Sequence, residues 1–443
     1  MGNRVHEIRD PIYNFIKLDS EERLLVNSGP FQRLRHIHQL ALSYLVYPGA
    51  THRRFEHSLG VMEVASRIYD VVTDPENVYH ETVRDLVPRR TDHNWSYWRR
   101  ALRAAALCHD MGHLPFSHAA EKELLPEGTR HEDLSREIIL SNHLAPCFKS
   151  LKIDPEDVAK IAVGPQYFKK RKGFDLYKFT NWESILYEII GGDVFGADRM
   201  DYLLRDAYHA GVAYGRFDQS RLIDTLRILP RLDLESEEPE LGITLGGVQT
   251  AESLLWARYF MYTQIYFHPV RRIYDIHLKE FLKEWLPGGT FGADIDQHLR
   301  RTDNHVLVGI LDAASDKMAK GHAQAKRIME RQHFRLLYES NPPDRELNLE
   351  AVDLILKAAE QELGEAAIRH DPYASEGESE DFPVYLRDGN IVSSLKLSAT
   401  LRHGPSFAVD YLFVEPGSKE KAKAWLDLNK NSILQQTASE TYE

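Results

Sequence analysis

His57, His109, Asp110 and Asp198 are two imidazoles and two carboxylates, a donor set that suits one divalent metal ion. The second and third are adjacent, in Leu107-Cys108-His109-Asp110-Met111-Gly112-His113, and further histidines follow at 118 and 131. An ion held this way keeps open positions for water and a phosphate oxygen. It polarises a phosphoryl oxygen as a Lewis acid and lowers the pKa of bound water from about 15.7 towards ~7, giving hydroxide near neutrality. Mn, Fe, Ni, Co or Zn suits mixed nitrogen and oxygen ligation, and a Mg ion carried in with substrate is also compatible. An alkoxide leaves phosphorus far more easily once protonated, so a histidine acid set back from the metal completes the machinery. His118, with Glu121 or Glu132 to hold its imidazolium form, is the candidate; His113 and His131 stand behind it. Arg54, Arg199 and Arg258 offer the forked hydrogen bonds that a triphosphate needs and that lysine does not copy.

Such residues need elements to position them, and the first three hundred residues read mainly as helices. Asp19 and Glu22 have the form of a helix start, and Tyr44 to Pro48 reads as a short extended element before a Gly49-Ala50 turn. A helix then places His57 on the same apolar face as Val61, Val64, Ala65 and Ile68; taken alone, that is more often a core histidine than a ligand. Trp98, Leu102, Ala105 and His109 form a second stripe that ends at Gly112. After Gly191, Gly192 and Gly196 another helix carries Asp198, Tyr202 and Asp206 in one line, with Asp201 and Arg205 beside them as a surface ion pair. Asp198 alone fits an ordinary first-turn acid; its company makes it a ligand. Ala251 to Trp285 reads as one helix interrupted at Pro269, with Arg258, Tyr262 and Tyr266 on one line. Asn341-Pro342-Pro343 is a breaker, Asp371 to Asp381 a mobile acidic linker, Val392 to Leu401 and Phe407 to Val414 strands, and Ser418 to Leu428 a helix.

The 443 residues, 43% hydrophobic and 28% charged, are enough for a large core and exclude a wholly disordered chain. No run is long enough to span a membrane and no secretory apolar region stands at the start, so the chain is expected in the cytosol. Two cysteines, Cys108 and Cys147, are too few for a disulfide framework or a thiolate zinc site. The net charge of −12 disfavours broad nucleic-acid binding, and a phosphorylated ligand then needs a local basic pocket. Lys169-Lys170-Arg171-Lys172 is one basic cluster, read as a solvated loop.

With these residues go Asp10-Pro11-Ile12, Phe31-Gln32-Arg33-Leu34-Arg35, Gln39-Leu40, Tyr47-Pro48-Gly49-Ala50, Arg54-Phe55-Glu56-His57-Ser58-Leu59-Gly60, Cys108 to His118, and Asp198-Arg199-Met200-Asp201-Tyr202 with Arg205-Asp206. In that order the chain resembles the HD superfamily of metal phosphohydrolases, in its deoxynucleoside triphosphate triphosphohydrolase branch, over roughly residues 5 to 285. The resemblance implies a mainly α fold, with an HD-domain helical core at about 50–210 within a catalytic region 1–340; the strand-forming and helical stretches beyond it read as a small C-terminal α+β region at 341–443. It implies cleavage of a dNTP to deoxynucleoside and inorganic triphosphate, with attack at the α-phosphorus, and a homo-oligomer such as a dimer or tetramer. His57, His109, Asp110 and Asp198 match the branch's metal ligands, His118 its catalytic histidine, and His113 and His131 the supporting ones. Arg54, Arg199 and Arg258 match phosphate contacts, Gln39 and Asp206 the groups that bind the sugar 3′-OH, and Tyr202 the aromatic packed under the deoxyribose. Tyr262 and Pro269 depart from the vertebrate SAM-and-HD-domain relative, and no separate SAM domain is expected before the catalytic part. Two other readings use the same chemistry: an HD phosphodiesterase or nucleotidase acting on other nucleotides, and a catalytically silent nucleotide-sensing regulator.

Overall fold

The computed structural model describes residues 4–117, 121–169, 178–232, 238–374, 381–404 and 408–435. The fold is mainly helical with small sheets, and no helix among the described residues is long and apolar enough to cross a membrane. Two compact units are present, and the chain passes between them repeatedly. One comprises Met1–Met261, Thr290–Val306 and Ser379–Gly404; the other comprises Tyr262–Gly289, Leu307–Glu378 and Pro405–Glu443.

In the first unit the Arg54–Val72 helix is the central post. Glu56 accepts a hydrogen bond from the Arg53 N–H at 2.7 Å and so fixes the helix start. Val61, Met62, Val64, Ala65 and Ile68 on this helix are fully buried, as are Leu102, Ala105 and Leu107 on the His93–Cys108 helix that packs on it. The Ala197–Ala210 helix packs on another side of the post, starting after Gly196 and ending at Gly211, whose φ of 74° favours glycine. Gly60 makes this approach feasible, because a Cβ there would lie 1.9 Å from Oδ1 of Asp201.

Several elements differ from the sequence reading. Tyr44 to Pro48 is not a strand: Ser43–Leu45 is a 3-10 turn, and the β-bridge joins His38 to Arg53. Strands occur within the part read mainly as helices, in a hairpin of His6–Asp10 with Asn14–Leu18 and in two strands of a four-stranded sheet. That sheet runs Leu226–Pro230, Pro239–Thr244, Pro383–Tyr385, Ile391–Ser393, with a parallel pairing in the middle and antiparallel ones outside. Pro230, Pro239 and Pro383 stand at strand ends, where proline forfeits little of the ladder. Val392 to Leu401 is strand only to Ser393, after which serine caps open the short helices Ser394–Leu397 and Ala399–Arg402.

The second unit is α+β. Strands Arg335–Glu339, Ala408–Val414 and Ile368–Ala374 form an antiparallel sheet with Ala408–Val414 in the centre. Alternation along that strand sends Leu412 towards Ile355, Leu426 and Ile433, and Val409, Tyr411 and Phe413 towards Phe267, Ile273 and Phe334. The acidic segment begins inside a strand, since Asp371 belongs to Ile368–Ala374; residues 375–380 lie outside the described residues. Asn341-Pro342-Pro343 starts a helix, with Asn341 as its cap, because proline is well tolerated in a first turn. The expected helix from Ala251 to Trp285 is three pieces: Val248–Met261, a π-helical turn at Tyr262–Tyr266, and Pro269–Trp285. The expected C-terminal helix is present as Lys419–Leu434.

Candidate metal centre

His57 sits in the first turn of its helix, and its two ring nitrogens face different partners. Nδ1 lies 2.8 Å from Oδ2 of Asp201, and Nε2 lies 2.9 Å from Oδ1 of Asp198 and 3.6 Å from Oδ2 of Asp110. His109 caps the end of the His93–Cys108 helix and gives Nδ1 to the Ala106 carbonyl at 2.8 Å. Its Nε2 therefore faces inward, 3.3 Å from Oδ1 of Asp110 and 3.8 Å from Oδ1 of Asp198. His57, His109 and Asp110 offer ligand atoms within 4.8 Å of one another. The four residues singled out in the sequence converge.

This cluster fits a divalent cation. Nε2 of both histidines is buried and faces carboxylate oxygens without a well-aligned hydrogen bond among the described residues. Each Nδ1–H is taken by an oxygen, which leaves a lone pair on Nε2 where a metal would be held. Burial opposes charge on His57, yet the Asp198 and Asp201 carboxylates hold its pKa at about 10, so the position is built for positive charge. Burial works against ionised Asp110 as well, but Arg54, His109 and His113 keep its pKa well below the usual carboxylate range. Asp198 is lowered too, against its partial burial, by His109 and His57; its side chain is 39% exposed, so the cluster opens on that side. His57, Asp110, His109 and Asp198 would hold the ion.

Asp201 and Arg205 correct the sequence reading most sharply. They are not a surface pair: both are fully buried. Arg205 grips Asp201 with two hydrogen bonds of 2.9 Å and reaches Asp10 at 2.8 Å with its remaining arm. Asp201 in turn orients His57. Their i, i+4 spacing was visible in the sequence, but which helix face is covered was not.

Beside the quartet lies a second group. His113 Nε2 is 3.2 Å from Oδ1 of Asp110, and its ring stacks on His131 with centroids 4.0 Å apart. Glu121 lies 3.0 Å and Glu132 3.3 Å from Nδ1 of His131. Burial, with Arg54 and His131 nearby, pushes the His113 pKa well down, whereas Glu121 and Glu132 raise that of His131 against its burial. His118, the candidate acid, lies outside the described residues, as do residues 170–172 of the basic cluster.

Arg54 is buried and directed at the quartet, donating Nε to Ser117 Oγ at 2.7 Å and pairing NH1 with Asp110. Phe116 and Ser117 hold left-handed backbone, φ 58° and 49°, a conformation that costs energy in non-glycine residues and clusters at functional sites. Asp303 secures this bend by accepting the Phe116 N–H at 2.7 Å, and Arg33 holds the preceding loop through the carbonyls of Met111 and His113 at 3.2 and 2.9 Å. Neither residue carries a local sequence signal for this task, since both act across long chain separations.

The remaining candidates fall in different places. Arg199 and Tyr202 are half-buried on the helix that bears Asp198, and Asp206, two turns on, is buried with Oδ1 2.7 Å from His52 Nε2. Gln39 has a buried Oε1 with no hydrogen-bond partner among the described residues. Arg258 is half-buried on Val248–Met261, which packs on the Ala197–Ala210 helix. Tyr262 and Tyr266 belong to the second unit, where they meet edge to face at 5.2 Å and pack beside Phe267 and Phe413. The π turn that holds them breaks the single line expected from Arg258.

The pattern that defines the HD domain matches residues 54–172, and that of the HD associated region matches residues 217–367. An uncharacterized protein of Methanocaldococcus jannaschii is 36% identical over 272 residues, covering 61% of this chain and 48% of that one. The human deoxynucleoside triphosphate triphosphohydrolase SAMHD1 is 29% identical over 367 residues, 76% of this chain and 55% of its own. The chain thus spans about half the length of the curated relatives it matches. A crystal structure of a hypothetical protein from Aquifex aeolicus superposes with a TM-score of 0.77 at 31% identity, covering 96% of this chain and 100% of that one. With the His-Asp pair and its distant His and Asp gathered at one point, the chain belongs to the HD-domain phosphohydrolase family, its HD domain followed by an HD associated region.

Proposed function

We propose that this protein is a metal-dependent hydrolase that cleaves deoxynucleoside triphosphates to deoxynucleoside and inorganic triphosphate. The observation that carries the proposal is the convergence of His57, His109, Asp110 and Asp198 around one point, with the buried Arg54 aimed at it. The similarity to SAMHD1, a triphosphohydrolase of deoxynucleoside triphosphates, supports this substrate class. A divalent cation bound there supplies Lewis-acid polarisation of a phosphoryl oxygen and eases ionisation of water.

The side chains have separate tasks. Arg54, held on two sides by Ser117 and Asp110, presents a rigid guanidinium to phosphate oxygens; Arg199 and Arg258 are further proposed phosphate contacts. His131, its proton held by Glu121 and Glu132, and the neutral ring of His113 stacked on it move a proton towards the leaving oxygen. His118 is the proposed acid, by its place in the sequence. Asp206 accepts the proton of the sugar 3′-OH and the Gln39 side-chain amide donates to its oxygen, while Tyr202 packs against C2′, where an added hydroxyl would lose water without gaining a partner. Tyr262 and Tyr266 are proposed substrate contacts from their line with Arg258 in the sequence, and a homo-oligomer is proposed on the sequence resemblance. Residues 1–340 are the proposed catalytic region.

The test is to incubate metal-loaded protein with each dNTP and each ribonucleotide and to separate the products by anion exchange. Triphosphate and deoxynucleoside are expected, with ribonucleotides slower by at least about tenfold. Pyrophosphate or monophosphate as product, or equal use of both sugars, would instead support an HD phosphodiesterase or nucleotidase. Binding without product in every metal tried would support a nucleotide-sensing regulator.

A further inference from the structure

The segment after the Tyr47-Pro48-Gly49-Ala50 turn is fastened to the end of the Ala197–Ala210 helix by two histidines that the proposed chemistry does not use. His52 is buried, with Nε2 2.7 Å from Oδ1 of the buried Asp206. Its ring stacks on His209, centroids 4.4 Å apart and planes 11° from parallel. The backbones are equally close, since a Cβ on Gly49 would stand 2.4 Å from the His209 carbonyl oxygen.

Nδ1 of His52 is buried and has no hydrogen-bond partner among the described residues. A proton on that nitrogen would be stranded without an acceptor, so the proton belongs on Nε2, where the Asp206 carboxylate accepts it. The same strip of backbone carries Gln39, whose N–H donates to the His52 carbonyl at 3.0 Å and whose buried Oε1 lacks a donor. His52 therefore links two groups: a carboxylate that it orients through its side chain and a side-chain amide that it carries through its main chain. A ligand hydroxyl has one proton to give and lone pairs to accept with, so the Asp206 carboxylate takes the proton and the Gln39 side-chain amide donates an N–H to the oxygen.

We infer that His52 is a positioning residue for recognition of a sugar 3′-hydroxyl: by holding Oδ1 of Asp206 it sets the orientation in which the carboxylate meets the ligand. The inference rests on the nucleotide reading above. Stacking on His209 keeps the His52 ring from turning away, so the pair acts as one brace.

The test compares wild type, His52→Ala and His52→Gln by kcat/KM on one dNTP and on its 2′,3′-dideoxy analogue, with folding monitored by circular dichroism melts. Glutamine keeps an N–H donor near the position of Nε2. His52→Ala is expected to lower the ratio of dNTP to dideoxy efficiency by roughly tenfold, the worth of one hydrogen bond to a charged group, and His52→Gln to keep it within about threefold. If His52→Ala does not fold, His52→Leu, similar in bulk and unable to donate, takes its place. Equal losses on both substrates, an unchanged ratio, or no recovery with glutamine overturn the inference and leave the nucleotide reading standing. A wild type that does not discriminate between the two substrates defeats the nucleotide reading of Asp206, and the inference with it.

Discussion

Each histidine of the quartet spends one ring nitrogen on the protein and keeps the other for the centre. For His57 the protein partner is Asp201, itself clamped by Arg205, and Arg205 also holds Asp10 from 195 positions away in the chain. Removing that carboxylate strands a buried guanidinium and lets the His57 ring turn. Asp201→Ala should therefore cost about 3–5 kcal/mol in urea denaturation and roughly 10–100-fold in metal affinity. A cost near the ~0.3–0.5 kcal/mol of an exposed helical pair would contradict this. The quartet was legible because His109 and Asp110 are neighbours and all four residue types share one chemistry. The role of Asp201 was not, since the i, i+4 spacing of an ion pair looks the same on a wet and a dry helix face.

The loop between the His93–Cys108 and His131–Leu140 helices places half of the site, and it is pinned from several sides. Ser135 donates to the His109 carbonyl at 2.8 Å and accepts from the Gly112 N–H at 2.9 Å, stitching loop to helix. A Cβ on Gly112 would lie 2.0 Å from the His131 carbonyl oxygen and 2.4 Å from the Ser135 nitrogen, both backbone atoms. Gly112→Ala should thus cost roughly 1–3 kcal/mol by overpacking, read as a lower urea midpoint with an unchanged slope. Elsewhere the Asn181–Gly191 helix is tied to the Pro239–Thr244 strand by Glu188, which accepts the Leu241 N–H at 3.0 Å. Burial pushes the Glu188 carboxyl from 4.5 up to about 8, against the pull of that hydrogen bond. The folded state then keeps a proton that the unfolded chain gives up, so this group's stability is full below pH 4.5 and is lost as pH rises through about 8. Glu188→Gln should flatten the fall in urea stability across that window; an unchanged pH profile would contradict it. Helices with strong periodicity and caps, such as the one opened by Asp19 and Glu22, were legible. The strands Leu226–Pro230 and Pro239–Thr244 were not, because the proline at one end of each looks like a break although the two pair as neighbours in the chain.

The chain crosses between its two units several times, which no local pattern announces: Thr290–Val306 returns Asp303 to the first unit, where it secures His38 and the Phe116 bend. A net charge of −12 favours the approach of cations, and the local cluster of carboxylates draws one to the centre. A cation that binds only the folded protein stabilises it by mass action, about 2.7 kcal/mol at a hundred times Kd, so Mn should raise the melting temperature and a chelator should reverse the rise. Asp198→Ala should abolish that response while Asp296→Ala, at an exposed pair with His143, should keep it. The central claim is that two imidazoles and two carboxylates meet around one ion. Metal content per chain, measured by inductively coupled plasma mass spectrometry on wild type and on single alanine variants of His57, His109, Asp110 and Asp198, tests it most directly. The expected result is a single bound ion in the wild type and its loss in every variant; full retention in any one of them, Asp198→Ala above all, would contradict the account.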